Sequence, residues 1–420
     1  MTPGQPRQSY KIGPNNFAPR LGITYALTPA TVIRAGMGTY YDGNINMNQF
    51  NDIQAGAAPF SLRYDAVNDT SQALPQRLVS NEYPSGLLGS PPQPNATPPA
   101  AFRFAQGYYP VPAVYQWSFS VQQKLASAWV VEGDYVGSHT IHQFQFVDDN
   151  APALPQGDLA NVSLQNRRPY PQWGILGTWA PLGWARYNAG TLSVKNNQWH
   201  GLTLQSNLTW AKNISSSRIG TSDQGNINFR VPYIWSGPSA ITPYWWFITA
   251  LNYRTPKLTA GRALGTVAND WVFTTTYTAS TGSPETVSGQ DLTSTGYTAS
   301  SSLVLPNRTC NPNSGAHVHA QLQWYNTSCF SLPAFGVWGN SALGAVTDPG
   351  INNWNIATAK RFPLDFLKEG HALEFRADFF NAWNHTQWLS SDKSMTSATY
   401  GRITSTHPAR QVQFALRYLF

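Results

Sequence analysis

The side chains able to do chemistry in this 420-residue chain are few and scattered. Carboxylates pair at Glu132/Asp134 and Glu374/Asp378. Acid–base catalysis needs two carboxyls held in unlike environments around a substrate. Spacings of two and four instead put both members on one face of a β-strand. There they line a polar wall or pair with cations such as Arg376, and the second reading is the stronger. The eight histidines form no His-x-x-x-His beside an acid, and neither Gly-x-Ser-x-Gly nor a phosphate-binding loop occurs. Gly36-Met37-Gly38 reads as a small-residue strand face. The chain is therefore read as a non-enzyme, with no catalytic, cofactor-binding or metal-binding residues and no cofactor.

Cys310 and Cys329 are the only cysteines and share one polar, aromatic-rich stretch. A disulfide between them fits an oxidising compartment. Two free thiols is the plainer alternative, and a metal site is weaker, because His317 and His319 nearby give no recognised ligand spacing. Tryptophans gather in Tyr244-Trp245-Trp246-Phe247 and at Trp173, Trp179 and Trp184. Such rings either stack on sugars or form the girdle of a membrane protein at its interface. The girdle is the better reading of the first group; the second is left open.

Composition narrows the class. Charged residues are 11% of the chain, well under the roughly 25% of soluble domains. Aromatics reach 13%, yet mean hydropathy is −0.33, because neutral polar residues stand in for charge. An uncharged lumen, aromatic girdles and a lipid face together produce such a mixture. The net charge of +7 forms no Lys/Arg run, so nucleic acid is not expected as a partner. No run of 18 apolar residues predicts a membrane-crossing helix.

The elements that must position these residues are strands. In the last ten residues Val412, Phe414, Leu416, Tyr418 and Phe420 alternate with Gln411, Gln413, Ala415 and Arg417. That period of two, ending on an aromatic, fits a strand between lipid and a wet lumen. Leu21, Ile23, Tyr25 and Leu27 alternate likewise, then Ile33 to Tyr41, Tyr115 to Leu125, Trp129 to Tyr135, Leu192 onward, and Leu202 to Trp210. Further segments are Trp246 to Arg254, Trp271 to Ser280, Asn353 to Arg361, and Leu373 to Phe379. That makes about eleven strands, with no competing helical period. Short connections near 28, 127, 198, 260 and 366 alternate with long ones at 42–113, 139–186, 213–244, 282–350 and 384–409. Short turns on one side and long loops on the other predict an all-β, antiparallel transmembrane barrel with periplasmic turns and extracellular loops. Glu132, Asp134, Glu374, Arg376, Asp378 and Arg417 all fall on the expected lumen face.

Eleven is odd, whereas single-chain bacterial barrels have even strand numbers. The expected unit is the carboxyl-terminal half of a 22-strand barrel, the size of the plugged transporters. The first residues, Met1-Thr-Pro-Gly-Gln-Pro-Arg, do not read as a secretory signal.

At the level of motifs the chain resembles the barrel of Oar-like TonB-dependent receptors. The resemblance rests on Asn16-Phe17-Ala18-Pro19-Arg20-Leu21-Gly22, Thr31-Val32-Ile33-Arg34-Ala35-Gly36-Met37-Gly38, and Gln116-Trp117-Ser118-Phe119-Ser120-Val121-Gln122 with Tyr135-Val136-Gly137-Ser138. It extends through Tyr187-Asn188-Ala189, Leu208-Thr209-Trp210-Ala211-Lys212 and, most specifically, Phe375-Arg376-Ala377-Asp378-Phe379-Phe380-Asn381-Ala382-Trp383-Asn384-His385. Gly401-Arg402-Ile403-Thr404 and Pro408-Ala409-Arg410-Gln411-Val412-Gln413 to the terminal Phe420 complete it. The resemblance implies an energised outer-membrane transporter, in which a plug fills the barrel and an amino-terminal TonB box couples to the inner membrane. No signal, plug or TonB box is read in residues 1–420, so the expected domain is a partial barrel over 1–420, with TonB engaged only through a missing amino-terminal part. Expected partners are outer-membrane lipid and the barrel assembly machinery. In the family such a terminal strand is recognised by that machinery, which makes Phe414, Leu416, Tyr418 and Phe420 a candidate assembly signal. The ligand is unknown. A passive porin and a soluble β-rich binding or adhesion domain are the alternatives.

Overall fold

The computed structural model describes residues 11–12, 15–42, 101–104, 108–174, 176–216, 236–257, 265, 267–289, 305–315, 318–364 and 369–420. Eleven strands run through one antiparallel sheet in chain order. They are β1 (Arg20–Thr28), β2 (Thr31–Tyr41), β3 (Ala113–Ala126), β4 (Trp129–Asp148), β5 (Leu176–Trp199) and β6 (Leu202–Ser215), followed by β7 (Trp245–Arg254), β8 (Trp271–Ser280), β9 (Ile351–Pro363), β10 (Ala372–Phe380) and β11 (Gln411–Leu419). Among the described residues, Ala101–Phe104 adds parallel to β5 and Gly237–Pro238 adds to β6. Residues 43–100 and 105–107 of the expected 42–113 loop, 217–235 of the 213–244 loop, 290–304 and 316–317 (with His317) of the 282–350 loop, and the short connections at 258–264 and 365–368 lie outside the described residues.

Backbone chemistry explains the short turns. His200 and Gly201 both have positive φ, the pair of conformations a two-residue hairpin needs to match the strand twist. A side chain at Gly201 would also meet the Arg254 carbonyl at 2.4 Å, so only glycine fits. Bulges sit beside three of the turns, between Ala26 and Thr28, Lys124 and Ala126, and Asn196 and Trp199.

β4 and β5 are far longer than alternation suggested, at 20 and 24 residues. Much of the expected 139–186 loop is therefore strand. The reason is local. Register shifts lie at Thr140/Gln143 and Gln143/Gln145, and His142 has φ 59°. Each bulge flips the inside–outside phase, so the period-two signal stops while the ladder continues.

Register divides the side chains into two faces. One continuous row runs Ile23, Ala35, Phe119, Tyr135, Gly190, Trp210, Trp245. The next runs Tyr25, Ile33, Val121, Gly133, Leu192, Leu208, Phe247. This apolar face is solvent-exposed: Leu21, Ile23 and Phe414 retain 69%, 65% and 66% of their accessible surface. Rings concentrate at its two ends. Trp129 meets Trp199 edge-on at 6.0 Å and Trp271 stacks on Phe273 at 6.0 Å near the short turns. Tyr277 stacks on Trp354 at 4.3 Å toward the long loops. No helix among the described residues is long and apolar enough to cross a membrane, and the strands carry the apolar surface instead.

The sheet has no second layer against it among the described residues. Buried apolar side chains gather outside it, in the loops. Val287, Tyr325, Cys329, Phe330, Ala345 and Val346 form a core, with Trp324, Met395 and Tyr400 packed around it. The described part of the expected 282–350 loop is thus folded together with residues of the β10–β11 connection.

Candidate functional site

The face opposite the apolar one is polar and positions every charged residue singled out above. Glu132 and Asp134 of β4, Glu374, Arg376 and Asp378 of β10, and Arg417 of β11 share it through the unbroken register. Arg34 Nη1 donates to Glu132 at 3.3 Å and Arg34 Nη2 to Gln122 at 2.8 Å. Arg376 makes three bonds to Asp378, at 2.8, 2.9 and 3.1 Å, along its own strand. Glu374 lies between Arg361 and Arg417 on the flanking strands. The two carboxylate pairs therefore sit in separate parts of the sheet, each beside arginine. Arg34, Lys195 and Arg361 belong to the same wall and were not singled out from sequence; the same alternation marks them.

Arg34, Glu132, Asp134, Lys195, Arg361, Glu374 and Arg417 lie toward the short-turn ends of their strands, whereas Arg376 is at the middle of β10 and Asp378 is nearer its long-loop end. Toward the long-loop ends of β3 to β6 the wall carries Gln116, Ser118, Ser138, Ala189 and Ala211, and Arg20 of β1 joins the row of Gln116 and Ser138 with its guanidinium 4.5 Å from the Tyr40 ring. Between the two, hydroxyls and amides bridge neighbouring strands, as Thr191 to Thr209 at 2.9 Å and Ser193 to Asn207 at 2.8 Å. Among the described residues no three His, Cys, Asp or Glu side chains cluster as metal ligands.

The terminal strand presents its other face. Phe414 stacks on Phe375 at 6.2 Å, and Tyr418 lies 6.0 Å from Phe420 and hydrogen-bonds His371. Phe420 is 93% exposed. Trp245 and Phe247 join this apolar face, whereas Trp246 points to the polar one.

At the long-loop end the described parts of the β4–β5, β8–β9 and β10–β11 connections join into a cap. Cys310 and Cys329 are joined in a disulfide with Cα atoms 5.1 Å apart. Asp348 is buried and accepts from the Ser391 amide and hydroxyl and from Lys393 at 2.8 Å, binding the β8–β9 connection to the β10–β11 connection. Tyr325 donates to the Asp392 carbonyl at 2.8 Å, and burial pushes its phenol far above its ordinary pKa. Burial works to raise the Asp392 carboxyl, but hydrogen bonds from Ser397, Thr399 and the Ser394 amide outweigh it and hold it below its ordinary value.

The β4–β5 connection has its own buried polar centre. Asp148 and Arg168 pair at 2.8 Å, both nearly inaccessible. Gln156 donates to the Gly336 carbonyl at 2.7 Å, joining this connection to the rest. Of the second tryptophan group, Trp173 lies in this connection, and Trp184 is in β5, 5.7 Å from the Arg186 guanidinium. Nothing in sequence marked Asp148, Arg168 or Asp348, because loop networks have no period.

Comparison with known proteins agrees with this geometry. The chain belongs to the outer membrane beta barrel domain family, whose model matches residues 1–413, and so is a protein of the bacterial outer membrane. No curated protein matches it. Among solved structures it is similar to the outer membrane transporter YddB from Escherichia coli, at 12% identity, with 96% of this chain and 40% of that one covered and a TM-score of 0.46. It is similar to BauA, the ferric preacinetobactin receptor from Acinetobacter baumannii, at 10% identity, 96% and 36% coverage and a TM-score of 0.44. The FrpB iron transporter from Neisseria meningitidis gives 10% identity, 96% and 39% coverage and a TM-score of 0.40. The chain spans about two fifths of the length of these proteins.

Proposed function

We propose that this chain forms the carboxyl-terminal half of the barrel of a TonB-dependent, Oar-like outer-membrane receptor, and that the receptor takes up a ligand without chemically altering it. The observation that carries this reading is the open sheet. Eleven strands pair in sequence, yet among the described residues β1 pairs only with β2, and β11 only with β10. In hydrocarbon an unpaired strand edge leaves backbone groups that cost several kcal/mol each. A membrane sheet with two such edges requires further strands to close it, and an equal number gives the 22 of the plugged transporters. On this reading the polar face lines the lumen, the short turns are periplasmic, the cap is extracellular, and a plug and TonB contact come from outside residues 1–420. Phe414, Leu416, Tyr418 and Phe420 then serve assembly.

The test is closure. Refolded into detergent alone, residues 1–420 are expected to aggregate or to associate, with no heat-modifiable monomer. In native envelopes, peptides of this chain are expected in a heat-modifiable barrel carrying additional strands, with uptake that stops when TonB is removed. A compact, ion-conducting monomer of 46.3 kDa would replace this reading with a passive porin.

A further inference from the structure

We infer that the exposed turn Tyr170-Pro171-Gln172-Trp173 is a preformed stacking platform for a neutral saccharide. The inference rests on the receptor reading only in placing the turn outside the cell. Its evidence is the hardware beneath it. Trp173 N–H closes the turn onto the Tyr170 carbonyl at 3.0 Å. Asn150 is fully buried and spends its whole side chain on the turn. Its Oδ1 accepts from the Tyr170 amide at 2.8 Å, and its Nδ2 faces the carbonyls of Tyr170, Trp173 and Gly174 at 3.0, 3.0 and 2.7 Å. Gln165 Nε2 adds bonds to the carbonyls of Pro171 and Trp173 at 2.5 and 2.6 Å.

Asn150 is in turn fixed to the sheet. Asp148, the last residue of β4, accepts from the Asn150 amide at 2.9 Å and from the Leu176 amide, the first of β5, at 3.0 Å. Arg168, bound to Asp148, also donates to the Asn150 carbonyl at 2.6 Å. A buried polar network of this kind is costly unless every member is satisfied. Here it holds in place a turn whose two aromatic residues are partly exposed, Tyr170 at 53% and Trp173 at 38%. Binding gains from having exposed rings fixed in advance, because less freedom is lost when a ligand arrives.

The chemistry of the ligand follows from the surface. Residues 169–174, Pro-Tyr-Pro-Gln-Trp-Gly, carry no charge, which disfavours an ion. A wholly apolar small molecule requires an enclosing concavity, and a turn is convex. A pyranose has one face of C–H groups that lies on an aromatic ring and a rim of hydroxyls that stays hydrated. The phenol, the indole N–H and the Gln172 amide supply donors and acceptors for that rim. The saccharide comes either free in solution or as the sugar of an outer-leaflet glycolipid.

Titration of the complete receptor with cellohexaose and maltohexaose, and separately with vesicles bearing smooth or sugar-truncated lipopolysaccharide, distinguishes the two sources. Trp173→Ala is expected to weaken the responding probe about tenfold. Trp173→Phe is expected to restore most binding, and Trp383→Ala, which removes an exposed ring elsewhere, to leave it unchanged. Asn150→Ala is expected to weaken binding severalfold with both rings present. Binding that is indifferent to Trp173→Ala, or the failure of every probe to bind, overturns the inference, including where TonB-dependent uptake continues. Trp173-dependent binding without TonB-dependent uptake keeps the platform and removes the receptor reading.

Discussion

Along β3, Phe119 and Ser118 point to opposite sides and neither is buried. At the end of β4 and in the connection that follows, Asp148 and Arg168 are both buried and paired at 2.8 Å. The two regions hold their shape by opposite means. The sheet is held by its backbone ladder, and its side chains are chosen for the two media they meet. The cap has little ladder, so side chains do the holding, through ion pairs, amides bonded to carbonyls, one disulfide and one small core. A substitution should therefore act through medium in the sheet and through partners in the cap.

The largest expected effect is in the cap. Arg168→Ala leaves the Asp148 carboxylate buried without its cation and should destabilise the β4–β5 connection by about 4 kcal/mol. Hydrogen exchange should rise over residues 148–176 while β8 to β11 stay protected. A loss spread equally over the sheet would erase the distinction. Next, Phe119→Arg on the apolar face should cost about 3 kcal/mol in denaturant titration from bilayers, as for a cation near the membrane midplane, whereas Ser118→Arg next to it should cost far less. Equal costs would mean that the two faces do not meet different media.

Replacing Cys310 and Cys329 together by serine opens a 19-residue separation. It should cost the cap about 3 kcal/mol on the chain-entropy account. Protease resistance of residues 305–350 should fall, with strand protection unchanged. Acid provides a gentler probe. Because the Asp392 carboxyl is held below its ordinary value, its contribution is complete at neutral pH and is lost as pH falls below about 4. Exchange in 387–406 should rise there first, and Asp392→Asn should flatten that response. The smallest effect belongs to the wall. Arg34→Ala breaks a half-exposed pair with Glu132 and should cost under about 1 kcal/mol.

The same contrast decides what could be read from sequence. Strands such as β8 and β11 were legible nearly to the residue, because each side chain reports the medium on its side and the report alternates. The charged residues of the wall were legible for the same reason, including Arg34, Lys195 and Arg361, which the pattern marks as well as it marks Arg376. β4 and β5 were cut short because bulges around His142 reverse the phase while the backbone bonding continues. The cap was read as loop throughout. Asn150 bonds to Trp173, and Asp348 to Lys393, across separations that no local period records. Only its two cysteines announced themselves, by being alone.

The joining of the long connections has a mechanical consequence. Three separate loops would each sample their own conformations and open or close independently. Here Gln156 is bonded to Gly336, and Asp348 to Ser391 and Lys393. The connections therefore share one set of rigid-body motions. On the receptor reading, widening of the entrance beside these three connections proceeds as a tilt of the joined visor about the strand ends, with a single relaxation time in place of several.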